Sequence, residues 1–221
     1  MNKPVEETFK SITKNKEKLK SLFKDHKKLD DAPVLIARLP EVILNEMKSF
    51  IEKGNKIRNH ELGFLREHHN AGENAYQISV PISDVNDSFT WPYLVVLGQY
   101  YLYEYKKLTF RKTFKEVSLR RTEHADGYDL WLNYTKKGCI NPPHVHEGYL
   151  SGVIYLKNTE SSPTFFRTKE GKEIKYNGSV GEIGIFPSSL EHFVEEYLGE
   201  EERITGSFNL MWNEIDYSKG G

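Results

Sequence analysis

Residues 133–156 read NYTKKGCINPPHVHEGYLSGVIYL, and this stretch decides the fold. His144 and His146 follow the Pro142-Pro143 pair, Glu147-Gly148 marks a turn, and Leu150 to Leu156 reads as a strand. Side chains alternate faces along a strand, so His144 and His146 point the same way and can share one metal ion. A third histidine, His192, lies in FPSSLEHFV, and Arg203 stands eleven positions beyond it. Two near-adjacent histidines, a distant third and a trailing arginine are the makings of a mononuclear iron site.

On either side the pattern is β. TFKEVSLRR, a turn at Ala125-Asp126-Gly127 and YDLWLNYT precede the central stretch; SGVIYLK, PTFFRT, KEIKYN, EIGIFP, HFVEEY and RITGSFNLMW form or follow it. Short strands broken by Gly, Asn, Pro or charge are the spacing of a sandwich or jelly roll. The last run carries a sharper signal. Arg203, Thr205, Ser207 and Asn209 share one face, and Ile204, Phe208, Leu210 and Trp212 share the other. The apolar face must pack under the N-terminal helices. The polar stripe faces either bulk water or a cavity; with the histidines present the cavity is favoured, and an inward arginine there is a prepared anion site.

Toward the N-terminus the periodicity turns helical. Residues 1–30 place Phe9, Ile12, Leu19, Leu22 and Phe23 on one face of a Lys/Glu-rich amphipathic helix. PVLIAR at 33–38 reads as a strand, and Pro40 opens a helix over Ile43, Leu44, Met47, Phe50 and Ile51 with Gly54 as its stop. Asn55 to Asp87 is polar and irregular, a mobile segment, and residues 55–90 are a candidate lid. WPYLVVLGQYYLYEY, from Trp91, has the Tyr and Val content of a strand as well as a helical face with Pro92 at the first position; the helix, packed against a sheet, is the favoured reading. The expected architecture is α+β, mainly β: one domain over 1–221, with helical support and a lid in 1–110 and a jelly-roll core in 110–213.

Composition narrows the function classes. Basic and acidic residues nearly balance, for a net charge of -1, so nothing draws the chain globally to nucleic acid or acidic membranes. Cys139 is the only cysteine, which excludes an internal disulfide and points to a reducing, cytoplasmic location. The start has no apolar leader, and no run reaches the roughly 18 apolar residues of a membrane span. Oligomeric state is not legible.

Four motifs, in order, carry a resemblance: Asn133 with Gly138, HVHEGYLSGVIYL at 144–156, IFPSSLEHFV at 185–194 and ERITGSFN at 202–209. From about residue 115 to 213 the chain resembles the iron(II)- and 2-oxoglutarate-dependent dioxygenases, in particular their prolyl-hydroxylase-like branch and a small oxygenase family of marine bacteria and phages. The resemblance implies a double-stranded β-helix and Fe(II), 2-oxoglutarate and O2 as the cofactor set. It implies oxidative decarboxylation of 2-oxoglutarate coupled to hydroxylation of a substrate C–H, with prolyl or another peptide or protein side chain the leading candidate. By this likeness His144 and His192 are metal ligands, and Arg203 and Tyr155 hold the far carboxylate of 2-oxoglutarate. Asn133 or Tyr134 lies near the cosubstrate, and Thr205 assists.

One position departs from the pattern. Most of these enzymes carry Asp two residues after the first histidine, and this chain carries His146. Three imidazoles are the favoured ligand set; a two-histidine site and a carboxylate from Glu147 are the alternatives. The literal His-x-Asp at His124 and Asp126 reads as a hairpin turn, His68 and His69 as surface residues, and Cys139 as a small buried residue. Two rival functions remain open: a non-catalytic jelly-roll binding module, and a cupin-type three-histidine dioxygenase that needs no 2-oxoglutarate. Arg203 discriminates against the second, which has no use for a carboxylate anchor.

Overall fold

The computed structural model describes residues 16–23, 25–59, 65–67, 75–86, 88–107, 117–120, 130–159 and 162–214. Its N-terminal half alternates helices with short strands. Helix α1 spans Lys16–Leu22, so the long helix expected over 1–30 is seen only in part, and Phe9 and Ile12 lie outside the described residues. Strand β1 (Lys27–Lys28) pairs with β2 (Leu35–Arg38), the latter as expected.

Helix α2 runs Glu41–Asn59, straight through Gly54, which is therefore not a stop. A Cβ at Gly54 would sit 2.6 Å from the Tyr134 hydroxyl oxygen, so the glycine lets the helix approach the sheet. The segment expected to be irregular contains β3 (Leu65–Glu67), β4 (Ala75–Ser79) and the short α3 (Ile82–Asn86). Helix α4 (Thr90–Tyr105) is the tyrosine-rich helix expected there, but Pro92 is its third residue rather than its first. The Glu46 carboxylate fixes its start, accepting from the Phe89 and Thr90 amides at 2.8 and 2.9 Å and from the Thr90 hydroxyl at 2.7 Å.

The remaining strands are β5 (Val117–Arg120), β6 (Leu130–Thr135), β7 (Asn141–His144), β8 (Leu150–Lys157), β9 (Thr164–Arg167), β10 (Glu173–Tyr176), β11 (Glu182–Pro187), β12 (Glu191–Val194) and β13 (Arg203–Glu214). Every pairing among the described strands is antiparallel. The larger sheet has the order β1-β2-β11-β8-β13-β6-β4-β3, with β5 on the far half of β13; the smaller has the order β10-β9-β12-β7. Two facing antiparallel sheets with helices on one outer face make this a jelly roll. Strands β1 to β4 join its larger sheet, so the N-terminal part supplies β-structure as well as helical support. The turn expected at 125–127, His124, His68 and His69 fall outside the described residues.

The strand alternation divides the larger sheet into two chemistries. Leu130, Leu132 and Tyr134 of β6, Leu150, Ile154 and Leu156 of β8, and Ile204, Phe208 and Leu210 of β13 share one core with Ile43, Met47 and Phe50 of α2 and Leu94 and Leu97 of α4. The opposite faces of the same strands carry Asn133, Val153, Thr205, Ser207 and Asn209 and look toward the smaller sheet. A second core, including Val153, Tyr155, Phe166 and Phe186, closes one end of the space between the sheets. None of the helices among the described residues is long and apolar enough to cross a membrane.

Candidate metal centre

Two prolines shape the first strand of the centre. In the β7–β12 pairing His144 faces His192 and Asn141 faces Val194, so three steps on β7 oppose two on β12. Pro142 and Pro143 occupy the extra length; they have no N–H to give to a ladder and fit a bulge. The bulge lets Asn141 and His144, three apart, border the same cavity alongside His192 and Val194. His146 lies beyond the end of β7 rather than on it. Its backbone amide donates to the Ser188 carbonyl at 3.0 Å, which fixes the loop that carries it.

The three imidazoles converge. Ring centroids are 4.9 Å apart for His144–His146, 4.3 Å for His144–His192 and 5.0 Å for His146–His192. One nitrogen from each lies within 4.8 Å of the others, a spacing that could hold a metal ion. Nδ1–H of His144 donates to the Pro142 carbonyl at 2.7 Å, and Nδ1–H of His192 donates to the Leu190 carbonyl at 3.0 Å. Pinning Nδ1 as the donor leaves the Nε2 lone pair free for a metal, the usual arrangement behind histidine ligands. Burial lowers the pKa of His144, partly opposed by the Pro142 carbonyl and the Glu191 charge. Burial, with the neighbouring His144 and His146, pushes His192 down to about 3. Both are therefore neutral donors at pH 7. Glu147 is exposed and outside the cluster, so the carboxylate alternative finds no support in this geometry.

Above the histidines opens a cavity of about 590 Å³, within the usual range for a small-molecule site. The polar stripe of β13 forms its wall: Arg203, Thr205, Ser207 and Asn209 all line it, which settles the cavity reading over the solvent one. Arg203 is 3 % exposed, and its Nε has no hydrogen-bond partner. Burial pulls its pKa below the ordinary value. A buried guanidinium with an unpartnered donor on a cavity wall is suited to receiving an anion.

The other expected residues fall as follows. Asn133 is the hub of the wall: its Nδ2 donates to Ser207 Oγ at 2.9 Å and Thr205 Oγ1 at 3.4 Å. Its Oδ1 accepts from Gln77 Nε2 at 2.9 Å and Trp131 Nε1 at 3.1 Å. Tyr134, next in sequence, turns the other way, into the core under the helices, and its hydroxyl donates to the Ile51 carbonyl at 3.3 Å. Strand alternation thus puts its ring on the helix side of the sheet, while the residue still borders the cavity beside Asn133. Tyr155 is fully buried between the sheets and donates to Thr164 Oγ1 at 3.1 Å; burial pushes its pKa up to about 12, with the Thr164 bond and the Arg203 charge opposing. Thr164 in turn lines the cavity. Cys139 is buried against Ala75, as a small packing residue.

Sequence reasoning missed several lining residues. Gln77 and Tyr76 of β4 come from the segment expected to be irregular; they belong to a wall formed by the sheet. Trp131 stacks edge-on to His146 at 5.7 Å, and its alternation with Asn133 in LWLNYT was the available signal. Asn141 was overlooked because only the proline bulge turns it inward. Behind the wall, Ser151 Oγ donates to Asn209 Oδ1 at 2.7 Å and lies 2.8 Å from Ser188 Oγ.

The comparisons with known proteins agree with this arrangement. A family described as "Putative 2OG-Fe(II) oxygenase" matches residues 129–209. No curated protein matches the sequence. The structure is similar to that of a prolyl-4-hydroxylase from Pseudomonas putida, with 12% identity, covering 90% of this chain and 99% of that one at a TM-score of 0.55. It is similar also to a "Putative oxygenase" from Shewanella oneidensis, with 12% identity, covering 91% and 87% at a TM-score of 0.54. At these identities the two structures speak for the fold alone. The matched segment holds the three histidines and Arg203, and over those residues the chain is similar to the 2OG-Fe(II) oxygenases, a family of oxidoreductases.

Proposed function

We propose that this protein hydroxylates a C–H of a peptide or protein side chain, with His144, His146 and His192 as the iron ligands and Arg203 as the anchor for the far carboxylate of 2-oxoglutarate. The observation that carries it is Arg203: a buried guanidinium with an unpartnered Nε on the wall of the cavity the histidines border. Among the described residues no carboxylate pairs with it. A bidentate carboxylate ligand would satisfy both the charge and the orphaned donor. This weighs against a three-histidine enzyme that dispenses with the oxo-acid, and against a module that retains the histidines without use.

The residues divide the work. Bound iron supplies the redox chemistry of O2 and of oxidative decarboxylation, which no side chain here can provide. The Nδ1 bonds of His144 and His192 hold their rings in the ligating tautomer. Thr205 flanks Arg203 on β13, and Tyr155 orients Thr164, so the anion end of the cavity presents both charge and hydroxyls. The Asn133 network fixes the wall between that end and Trp131. At the mouth, Ile140 and Val145 are 42% and 56% exposed and border the cavity, an apolar rim suited to a side chain entering from outside. The fold shared with a prolyl-4-hydroxylase makes proline the first side chain to test, in a cytoplasmic one-domain enzyme.

The test is anaerobic titration of the iron(II)-loaded protein with 2-oxoglutarate, following the weak visible charge-transfer band near roughly 500–530 nm. A band that vanishes in His144→Ala and in Arg203→Ala supports the site. Metal binding without a band points to the oxo-acid-free chemistry, and absence of metal binding leaves a jelly-roll module. Given the band, turnover of 2-oxoglutarate stimulated by proline-containing peptides, with hydroxylation read by mass spectrometry, tests the substrate class.

A further inference from the structure

Strand β7 ends the smaller sheet among the described strands, and it runs along the mouth of the cavity. Its ladder to β12 passes through two pairs, Asn141 with Val194 and His144 with His192. Residues of an antiparallel pair either exchange both backbone bonds themselves or leave them to their neighbours. Here the neighbours do not serve: Pro142 has no N–H, and Val145 makes no such bond. Asn141 and His144 therefore bond to β12 themselves, and Ile140 and Val145, just outside them, turn their N–H and C=O away from it. Neither of those two backbones has a hydrogen-bond partner among the described residues. Their side chains are exposed as well, and both border the cavity. A sheet edge with unpaired backbone groups is a template for one more strand, which proteins ordinarily cover or blunt. The two prolines blunt only the middle of this one.

We infer that the substrate is an extended polypeptide segment that adds to this edge as a strand, bonded to the backbones of Ile140 and Val145 and passing over the histidines between them. This rests on the function proposed above and says how that substrate is held. The two anchor residues are about 17 Å apart along an extended chain, a reach that a segment of polypeptide has and a small metabolite lacks. Main-chain bonds at both ends supply affinity, and the side chains that alternate over the apolar rim supply selectivity. Between the anchors Pro142 and Pro143 offer no donor, so the middle of the segment is not held flat and its central side chain can turn past His144 into the cavity. Charge distinguishes the two ends. Lys136 is exposed in the turn that leads to Ile140, and Glu147 is exposed just beyond Val145. A complementary segment carries an acidic residue at the Ile140 end and a basic one at the Val145 end.

The experiment selects binders from a displayed library of short peptides, randomised at every position, on the full chain loaded with Mn(II) and 2-oxoglutarate without O2. Enriched peptides are then made with single backbone N-methyl groups at successive positions, and hydrogen exchange of the β7 amides is followed as they bind. The peptides should carry opposite charges toward their two ends, and the amides of Ile140 and Val145 should become protected. N-methylation should weaken binding about 5- to 10-fold at the positions that donate to β7 and have little effect at the positions between. No protein variant is needed, so misfolding does not cloud the result. Binding without protection of Ile140 and Val145, or with equal sensitivity to N-methylation at every position, overturns the inference and leaves the oxygenase reading intact. So does a library that yields no binder from protein that takes up Mn(II) and 2-oxoglutarate, a result that points to a small-molecule substrate. Protein that takes up neither overturns both.

Discussion

Replacing Arg203 with methionine should make the metal-free protein more stable and the cosubstrate site useless. The side chain is 3 % exposed, its Nε lacks a partner, and no carboxylate among the described residues balances it. An unsatisfied buried donor costs about 1–3 kcal/mol, and methionine fills a similar volume without charge. In a protein of this size each kcal/mol moves Tm by about 2–4 °C, so Arg203→Met should melt a few degrees above the wild type in the metal-free, cosubstrate-free state. Binding moves oppositely. Two charge-assisted hydrogen bonds at about 1.5–3 kcal/mol each give a loss of about 10²- to 10⁴-fold in 2-oxoglutarate affinity. Calorimetric melts with and without 2-oxoglutarate read both effects on one sample. The wild type gains Tm with cosubstrate, and the variant should start higher and gain nothing. A variant that melts lower than the wild type while binding 2-oxoglutarate unchanged refutes the reasoning, for Arg203 would then be a structural residue.

Three further outcomes follow from the geometry. Gly152→Ala should lower the urea midpoint with little change in slope, by about 1–3 kcal/mol of overpacking, because its Cβ would stand 2.2 Å from the Phe208 ring and 2.8 Å from the Gly184 carbonyl oxygen. Tyr134→Phe should cost about 1 kcal/mol through the lost bond to Ile51 and leave 2-oxoglutarate affinity unchanged. Asn133→Ala, one residue away, should weaken it; a reversed result would mean the alternation of β6 has been misassigned. The metal-free protein should lose stability in acid through His192, whose pKa is pushed down to about 3 in the fold and is about 6.5 in the unfolded chain. Above pH 6.5 both states are neutral there and nothing is lost. Between 6.5 and 3 the unfolded state takes up a proton the folded state refuses, so stability falls by at most about 4–5 kcal/mol, measurable as a pH-dependent urea midpoint that flattens in His192→Gln.

The jelly-roll half was legible because its signals are local. In RITGSFNL the alternation of Arg203, Thr205, Ser207 and Asn209 with Ile204, Phe208 and Leu210 states both faces of β13 within eight residues, and the structure puts the first set on the cavity and the second in the core. His144, His146 and His192 were visible as residue types at suggestive spacings, although His146 sits past the strand end. What stayed hidden depends on distant partners. Gln77 earns its place from Asn133, fifty-six positions away, and AYQIS is too short and mixed to announce a strand by itself. Gly54 reads as a helix stop until Tyr134 is seen occupying the space a side chain would take. Asn141 and Thr164 reach the cavity through a proline bulge and through the second sheet, neither of which has a local sequence signature.

The division of the larger sheet explains how one fold carries so unfavourable a cavity. Arg203, Asn209 and His192 are buried polar groups, and each is a cost unless paired. The opposite face of the same strands buries Leu132, Ile154, Ile204 and Phe208 against α2 and α4, and that core holds β6, β8 and β13 whether or not the cavity is filled. β13 is also hydrogen-bonded on both sides, to β6 and β8, so Arg203, Thr205 and Ser207 stand on backbone that cannot rearrange to hide them. The polar wall is thereby kept open in a geometry its own contacts would not select. It follows that substitutions on the helix-facing side should move stability with little effect on ligand affinity, and those on the cavity side should move affinity with little loss of stability. The strongest form of that contrast is Arg203, where removing the charge is expected to raise stability while the function disappears.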